Sequence, residues 1–457
     1  MRTTMVYGGC GRILSVGFLL FQASAALSTA AAPVEAAAAI DARSIILAPQ
    51  SGDGKVDQEI GQLQGKIRSA KDPNPFIVRL GWAFVAKARL TSDPGYYKLA
   101  EQCSQLAGEE SDSLLLRGHI FHALHRFSEA ESVARKLTSD PVPRWENYAL
   151  LGDALMEQGK LSDAIGVYQR MIDIRPCLQT YARVAHVRWL KGDVIGAEEL
   201  MKTAVSAGNS RDPEPGAWAY SRLAFYQLQS GNSAGASRSI ARALEFVKDF
   251  PAALFLQGKI DIVNGAAEKA VQALTTAATQ SPLPDYQWAL ADAARLSGNA
   301  ELAAKTEAEI LSHGAIEDPR SYALFLANRN EKPELALQFA QDELTNRRDV
   351  FTYDALAWAE LAAGNKSEAK QNMQRALAEG TADARLFYHA GKIAAAFGDN
   401  AQARKWFTRA VAIQQMLLPS ERADLTQQVA TLSSSRSATA KLSSTNPPAA
   451  KKAVTRK

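Results

Sequence analysis

Cysteine and histidine are scarce in this chain, and its one long apolar stretch lies at the beginning. Three cysteines and six histidines are spread over 457 residues. Three cysteines are too few for a disulfide-rich scaffold or a four-cysteine zinc site. After residue 35, no uncharged stretch reaches the roughly 20 residues that a helix needs to cross a bilayer. The chain is therefore neither a disulfide-stapled domain nor a multi-span membrane protein.

Basic charge is concentrated at the two ends of the chain. The net charge is +4, yet residues 433–457 contain six lysines and arginines and no acidic residue, and residues 1–32 contain two arginines and no acidic residue. The body, 33–432, is left with a net charge of −4. Phosphate binding needs a basic stripe, so no nucleic-acid partner is predicted.

The first 32 residues have the order of a secretory signal peptide. Arg2 and Arg12 precede an apolar run at 13–21, and small residues follow it up to Ala25 and Ala32. This order predicts export, with cleavage after one of those alanines. A signal anchor is the alternative, but the apolar run is short for a bilayer span. We expect an exported protein, periplasmic or secreted, whose Cys103 and Cys177 stay unpaired because they lie more than two repeats apart.

A motif with a period of about 34 residues runs through the middle of the chain. Alanine recurs at nine positions, and twelve residues before most of them stands a second small residue, such as Gly118 or Gly152. The alanines are Ala130, Ala164, Ala197, Ala236, Ala270, Ala303, Ala336, Ala369 and Ala403. A glycine usually lies between the two small positions, where it can end a helix.

This spacing predicts a pair of antiparallel helices in each repeat. Apolar residues recur at helical intervals in both halves, and the two small residues mark where the helices cross closely. Four polar residues are placed to cap the second helices, namely Ser128, Ser162, Asn299 and Ser367. One hairpin cannot bury its own apolar face, so neighbouring hairpins must stack into a solenoid.

The third copy resembles the tetratricopeptide repeat (TPR) nearly position by position. The matching residues are Trp145, Tyr148, Gly152, Leu155, Gly159, Ala164, Tyr168 and Pro176. The resemblance implies an all-α, right-handed α-solenoid, a superhelix of about ten TPR-like hairpins over residues 74–416. It also implies a protein-interaction scaffold. The chain is similar to exported bacterial TPR proteins of unassigned function.

The flanking segments are predicted from composition. Residues 33–73 read as a loose Ala-rich segment followed by a capping helix, and residues 417–432 as a C-terminal capping helix, which an open-ended solenoid needs. Residues 433–457 have little to bury and are predicted to be a disordered basic tail. Such a tail can stay solvated or make weak contact with anionic lipid or cell wall.

Motifs that look catalytic fall in places that do not suit catalysis. Residues 231–235 match the G-x-S-x-G pattern, but they fill a predicted helix–helix turn, whereas a nucleophile elbow follows a strand. Residues 367–370 match S-x-x-K at the start of a helix, and no P-loop or H-E-x-x-H motif occurs. His119, His122 and His125 form the best metal-like cluster, but no cysteine or Glu-x-x-His partner completes a site. We therefore predict no enzyme, no metal and no cofactor.

The resemblance places aromatic residues on the concave surface. In TPR solenoids the first helices line that surface, and the alignment assigns twelve residues to it: Trp82, His119, His122, Met156, His186, Trp189, Trp218, Phe225, Phe255, Trp288, Trp358 and Tyr388. Exposed aromatic patches usually mark a contact. The alternative is that these rings pack against the first helix of the neighbouring repeat.

The sequence thus predicts a non-enzymatic interaction scaffold of the bacterial envelope, which holds a peptide or protein segment in an aromatic groove. Asp292, Arg295 and Lys392 flank the groove and would set the register of the segment. A carbohydrate-binding or polysaccharide-export accessory protein is the alternative, since sugars stack on exposed tryptophan. A metal-dependent enzyme is the least favoured interpretation.

Overall fold

The computed structural model describes residues 41–91, 93–208 and 213–444, and within these ranges the chain is helical with no β-strand. The predicted all-α solenoid is confirmed. The helices are α1 (Ala42–Ile46), α2 (Lys55–Ser69), α3 (Asn74–Thr91), α4 (Gly95–Leu106), α5 (Ser111–Ala123), α6 (Phe127–Thr138), α7 (Trp145–Glu157), α8 (Leu161–Ile174), α9 (Leu178–Leu190), α10 (Val194–Ser206), α11 (Pro213–Gln229), α12 (Ser233–Phe246), α13 (Pro251–Val263), α14 (Ala267–Gln280), α15 (Pro284–Leu296), α16 (Ala300–Glu317), α17 (Pro319–Arg329), α18 (Pro333–Asn346), α19 (Val350–Ala362), α20 (Lys366–Leu377), α21 (Ala384–Ala396), α22 (Asn400–Ala412) and α23 (Pro419–Ser444). A 3₁₀ turn, Gln414–Met416, precedes α23.

Ten helical hairpins form the body of the solenoid, from α3–α4 to α21–α22. We number them 1 to 10 and call their members the first and second helices. The small residues stand where the two helices of a hairpin cross. A methyl group at Gly152 would overlap the ring of Tyr168, and one at Gly391 would overlap the ring of Phe407. Ala164 is fully buried at the matching place on the second helix of hairpin 3.

The turns inside the hairpins use left-handed backbone. Seven of them carry a glycine with φ between 73° and 83°, and His125 and Asn330 take the same conformation in hairpins 2 and 8. Asn299 caps α16 as predicted, accepting a hydrogen bond from the Leu302 amide at 3.0 Å. The other three predicted caps are wrong. Each of these helices begins at the residue before the serine, so Ser128, Ser162 and Ser367 lie inside the first turn.

The two ends of the solenoid are covered by additional helices. α2 packs on α3, and α1 packs on α4 with Ile46 fully buried, inside the segment predicted to be loose. α23 packs on α22 and on α15, and it continues to Ser444, past the predicted end of the capping helix. The predicted signal peptide and residues 445–457 of the predicted tail lie outside the described residues.

Two further predictions concern cysteine and membrane spans. Cys103 and Cys177 are both free. Over the described ranges, none of the helices has the length and apolar character that a bilayer span requires.

Candidate functional site: the inner face

The first helices form the inner face of the solenoid. Neighbouring first helices contact one another, as α5 does α7, α11 does α13 and α19 does α21. The small residues of a first helix face its own second helix, so the opposite side of each first helix is left to form this inner face. The twelve residues predicted to line the groove stand on nine of the ten first helices.

None of the twelve predicted groove residues is exposed. Five are buried, namely Met156, Trp189, Trp288, Trp358 and Tyr388. Seven are half-buried, namely Trp82, His119, His122, His186, Trp218, Phe225 and Phe255. Although the placement on first helices holds, the inner face is a packed surface and not an open aromatic wall.

Many of the rings contact the first helix of the next hairpin. Trp82 lies 5.0 Å from His119, and Trp189 lies 5.0 Å from Phe225, measured between ring centroids. Trp358 lies 5.7 Å from Tyr388. Others pair with rings outside the predicted set: Phe255 stacks on Tyr286 at 4.6 Å, and Trp288 meets Phe325 edge-on at 5.6 Å. The structure therefore has the neighbour packing that the sequence offered as the alternative to ligand lining.

The second half of the chain covers the inner face of the first half. Three segments, residues 347–349, 379–383 and 414–420, lie against the C-terminal ends of first helices, and we call these segments the seam. The Arg348 amide donates to the Glu157 carbonyl at 2.9 Å, and Gln415 donates to the Leu228 carbonyl at 2.6 Å. The first contact joins hairpin 3 to the segment after hairpin 8, and the second joins hairpin 5 to the segment after hairpin 10. The solenoid thus returns upon itself with an offset of five hairpins.

Arg347 is the charged centre of one end of the seam. Its guanidinium lies 2.7 Å from a Glu157 carboxylate oxygen and 5.3 Å from the ring centroid of Phe127. His125 Nε2 lies 3.5 Å from the same guanidinium. Burial, and to a lesser extent the positive charge of Arg347, lower the pKa of His125 well below its ordinary value. His125 is therefore neutral at pH 7 and can accept a hydrogen bond from Arg347.

The other inner-face histidines are also neutral. Burial lowers the pKa of His119 and of His186 to about 3, with smaller contributions from neighbouring positive groups. Burial also lowers the pKa of His122. Among the described residues, His119 Nε2 and His122 Nε2 have no hydrogen-bond partner. No group of three or more histidine, cysteine, aspartate or glutamate side chains in the described ranges is arranged to hold a metal ion.

A buried ion pair crosses between hairpins 3 and 4. Arg183 donates to both carboxylate oxygens of Asp153, with its shortest contact at 2.7 Å, and Tyr168 donates to the same carboxylate at 2.7 Å. Arg183 keeps only 3% of its side chain exposed. Asp153 stays ionised, because the adjacent guanidinium outweighs burial and lowers its pKa. Asp153 stands at the same position in α7 as His119 does in α5, and its charge is balanced by Arg183.

A second charged cluster lies where hairpins 6 and 7 meet hairpin 10 and α23. Lys259 donates to the Met416 carbonyl at 2.6 Å, and burial lowers its pKa to about 8. Arg385 donates to Glu421 at 2.7 Å and lies 5.4 Å from the ring centroid of Trp288. His389 and Asp354 form a further buried contact at 2.8 Å. These partners lie more than thirty residues apart in the chain, and no local pattern pointed to them.

The three predicted register residues are engaged within the chain. Asp292 accepts a hydrogen bond from the Ser420 amide at 2.9 Å and pairs with Arg295 at 3.3 Å. Lys392 donates to Asp424 at 2.8 Å. Asp292 and Lys392 thus hold the N-terminal part of α23 against the first helices of hairpins 7 and 10.

Comparison with known proteins gives a family match but no curated relative. The sequence profile of the tetratricopeptide repeat matches residues 115–176 and 355–415, which cover most of hairpins 2–3 and 9–10. No curated protein matches the chain.

Several solved structures are similar at low identity. The structure of the APC/C hetero-tetramer Cut9–Hcn1 shares 13% identity and a TM-score of 0.34, over 85% of this chain and 100% of that one. Yeast Tom70 shares 14% identity and a TM-score of 0.35, over 84% and 93%. A tetratricopeptide repeat protein from Parabacteroides merdae shares 18% identity and a TM-score of 0.31, over 55% and 98%.

Proposed function

We propose that this chain binds a segment of another protein on its inner face, as expected of an interaction scaffold with the tetratricopeptide-repeat profile that matches residues 115–176 and 355–415. In this proposal it acts without catalysis, as a scaffold of the bacterial envelope. The binding region is the inner face of hairpins 3 to 5, where Trp189, Trp218 and Phe225 lie.

The observation that carries the proposal is that side chains of this face hydrogen-bond to polypeptide backbone. Side chains of the inner face donate to main-chain carbonyls of the seam, as Trp189 Nε1 does to Ala382 at 3.0 Å and Lys259 does to Met416. Donors aimed at main-chain carbonyls are what the backbone of a bound peptide requires. The surrounding rings exclude water, which strengthens such hydrogen bonds.

The proposed location rests on the N-terminal sequence. The order of positive charge, apolar run and small residues in 1–32 is that of a cleaved secretory signal. N-terminal sequencing of the mature protein from its host should begin after Ala25 or Ala32. A chain that keeps Met1 and fractionates with the cytosol would contradict this location.

Sugar binding receives less support. A sugar ring needs an exposed aromatic face on which to stack, and all seven tryptophans, which lie within the described ranges, are buried or half-buried. We therefore retain a protein segment as the ligand class.

The test requires direct binding between two purified proteins, because capture from an extract does not by itself show it. A protein that the full chain retains from envelope extract is identified and purified, and its Kd is measured by calorimetry. Trp218→Ala with Phe225→Ala removes half-buried inner-face rings and should weaken binding at least tenfold, about 1.4 kcal/mol or more. The matched control, Ile165→Ala with Ile195→Ala, removes exposed side chains of second helices and should leave Kd unchanged. No direct binder, or equal weakening by both pairs, would overturn the proposal.

A further inference from the structure

The middle segment of the seam is recognised residue by residue. Glu379 pairs with Lys191, and the Thr381 hydroxyl donates to the Leu190 carbonyl at 2.7 Å. The carbonyl of Ala382 accepts from Trp189, and the Asp383 carboxylate accepts from Gln229 at 3.1 Å. Four residues of a short segment, Glu379 to Asp383, thus meet the ends of α9 and α11.

This segment is irregular and its side chains are matched by the inner face. Residues 380–383 have no regular secondary structure: Gly380 has left-handed backbone, with φ 80°, and Asp383 has extended backbone, with φ −136° and ψ 136°. Both acidic side chains of the segment meet a donor, Lys191 or Gln229, while its hydroxyl and one carbonyl are satisfied by main-chain and indole groups. The inner face therefore matches an irregular segment in which acidic residues flank a small, hydroxyl-bearing centre.

Two turn glycines permit the close approach of the seam. A Cβ at Gly192 would lie 2.7 Å from the Gly380 carbonyl oxygen, and one at Gly159 would overlap the Arg348 carbonyl oxygen. Gly265 and Gly298 occupy the same position in hairpins 6 and 7, with φ 75° and 79°, and have nothing within 4 Å of a Cβ. The backbone conformation is shared by all four glycines, so the contact with the seam is what separates the two pairs.

We propose that the segment 379–383 is an intramolecular occupant of the partner site, and that partners are acidic segments of the same chemistry, without regular secondary structure, that must displace it. This inference rests on the proposed function and specifies its ligand class and its regulation. The seam then sets the affinity of the site, because any partner competes with a segment tethered at high effective concentration.

The first experiment removes contacts of the occupant and leaves the site itself unchanged. Glu379→Lys with Thr381→Ala, the seam variant, removes the partners of Lys191 and of the Leu190 carbonyl. The control, Glu301→Lys with Thr279→Ala, makes the same exchanges at exposed positions away from the seam. The probe is a fluorescein-labelled synthetic peptide of residues 375–387 with the native sequence, added to each full-length protein after circular dichroism has confirmed its helix content. Anisotropy should show at least tenfold tighter binding to the seam variant than to the native chain or the control. Equal affinity for all three, or no binding to the seam variant, would overturn the proposal.

The second experiment needs no buried substitution and covers the case in which the seam variant does not fold. Lys191 and Glu379 are partly exposed and lie 188 residues apart in the chain. Lys191→Glu places like charges across the seam and should increase amide hydrogen exchange in residues 379–383. Adding Glu379→Lys should restore protection. Unchanged exchange in the single variant, or no rescue in the double variant, would contradict a seam that opens locally.

The outcomes separate this inference from the proposed function. If the peptide binds the opened chain but no host protein binds, the seam stands and the scaffold function fails. If a host partner binds the native and seam variants equally well, the scaffold function stands and the competition fails.

Discussion

At the scale of single residues, the inner face depends on charges that are buried together with their partners. Asp153 and Arg183 are the clearest case, because both are nearly inaccessible to water and the carboxylate also accepts from Tyr168. Removing one partner of such a pair leaves an uncompensated buried charge, whereas replacing both with apolar residues is far less costly.

We therefore expect Asp153→Ala to lower the free energy of unfolding by about 3–5 kcal/mol. The double variant Asp153→Leu with Arg183→Met should recover a large part of that loss. Arg242→Ala, which breaks an exposed i,i+3 pair with Glu245, should cost less than about 1 kcal/mol. Urea unfolding followed by circular dichroism measures all three. A loss for Asp153→Ala no larger than that for Arg242→Ala would contradict this account.

At the scale of the element, each hairpin is held by the close crossing of its two helices. This part of the fold could be predicted, because the small residues at the crossing and the helical spacing of apolar residues are local sequence features. Cap positions were less predictable: a polar residue one position inside a helix has the same composition signal as a cap, and only the backbone decides between them.

Hairpin 3 contains a matched pair of glycines for testing the crossing. Gly152→Ala should destabilise the protein by about 1–3 kcal/mol, because the methyl group would overlap the Tyr168 ring. Gly166→Ala, on the exposed side of α8 with nothing within 4 Å, should stabilise it by about 0.5–1 kcal/mol. Thermal unfolding of the two variants gives the sign of each effect. The same sign for both would show that helix propensity, not the crossing, dominates.

At the scale of the whole molecule, the packed inner face keeps water away from histidines that an open groove would leave hydrated. His119, His122, His125 and His186 all have lowered pKa values, chiefly through burial. In the unfolded chain these histidines bind protons near pH 6.5, whereas in the folded chain they do not. Stability from these residues is therefore complete above pH 6.5 and is lost as the pH falls below it.

We expect the free energy of unfolding to fall by about 2 kcal/mol for each of His119 and His186 between pH 7 and pH 5. Most carboxylates titrate below this window, so the histidines dominate it. Urea unfolding at the two pH values measures the loss, and His186→Gln should reduce it by about the contribution of one group. Stability that does not change from pH 7 to pH 5 would rule out neutral, buried histidines.

The sequence by itself determined the helices and their pairing into hairpins. These features depend on contacts within about 34 residues, where the spacing of apolar and small side chains dictates the packing. Only the tertiary structure decided what the inner face touches. Contacts such as Trp189 with Ala382 join residues nearly 200 positions apart, and they exist because small rotations between successive hairpins accumulate until the chain meets itself.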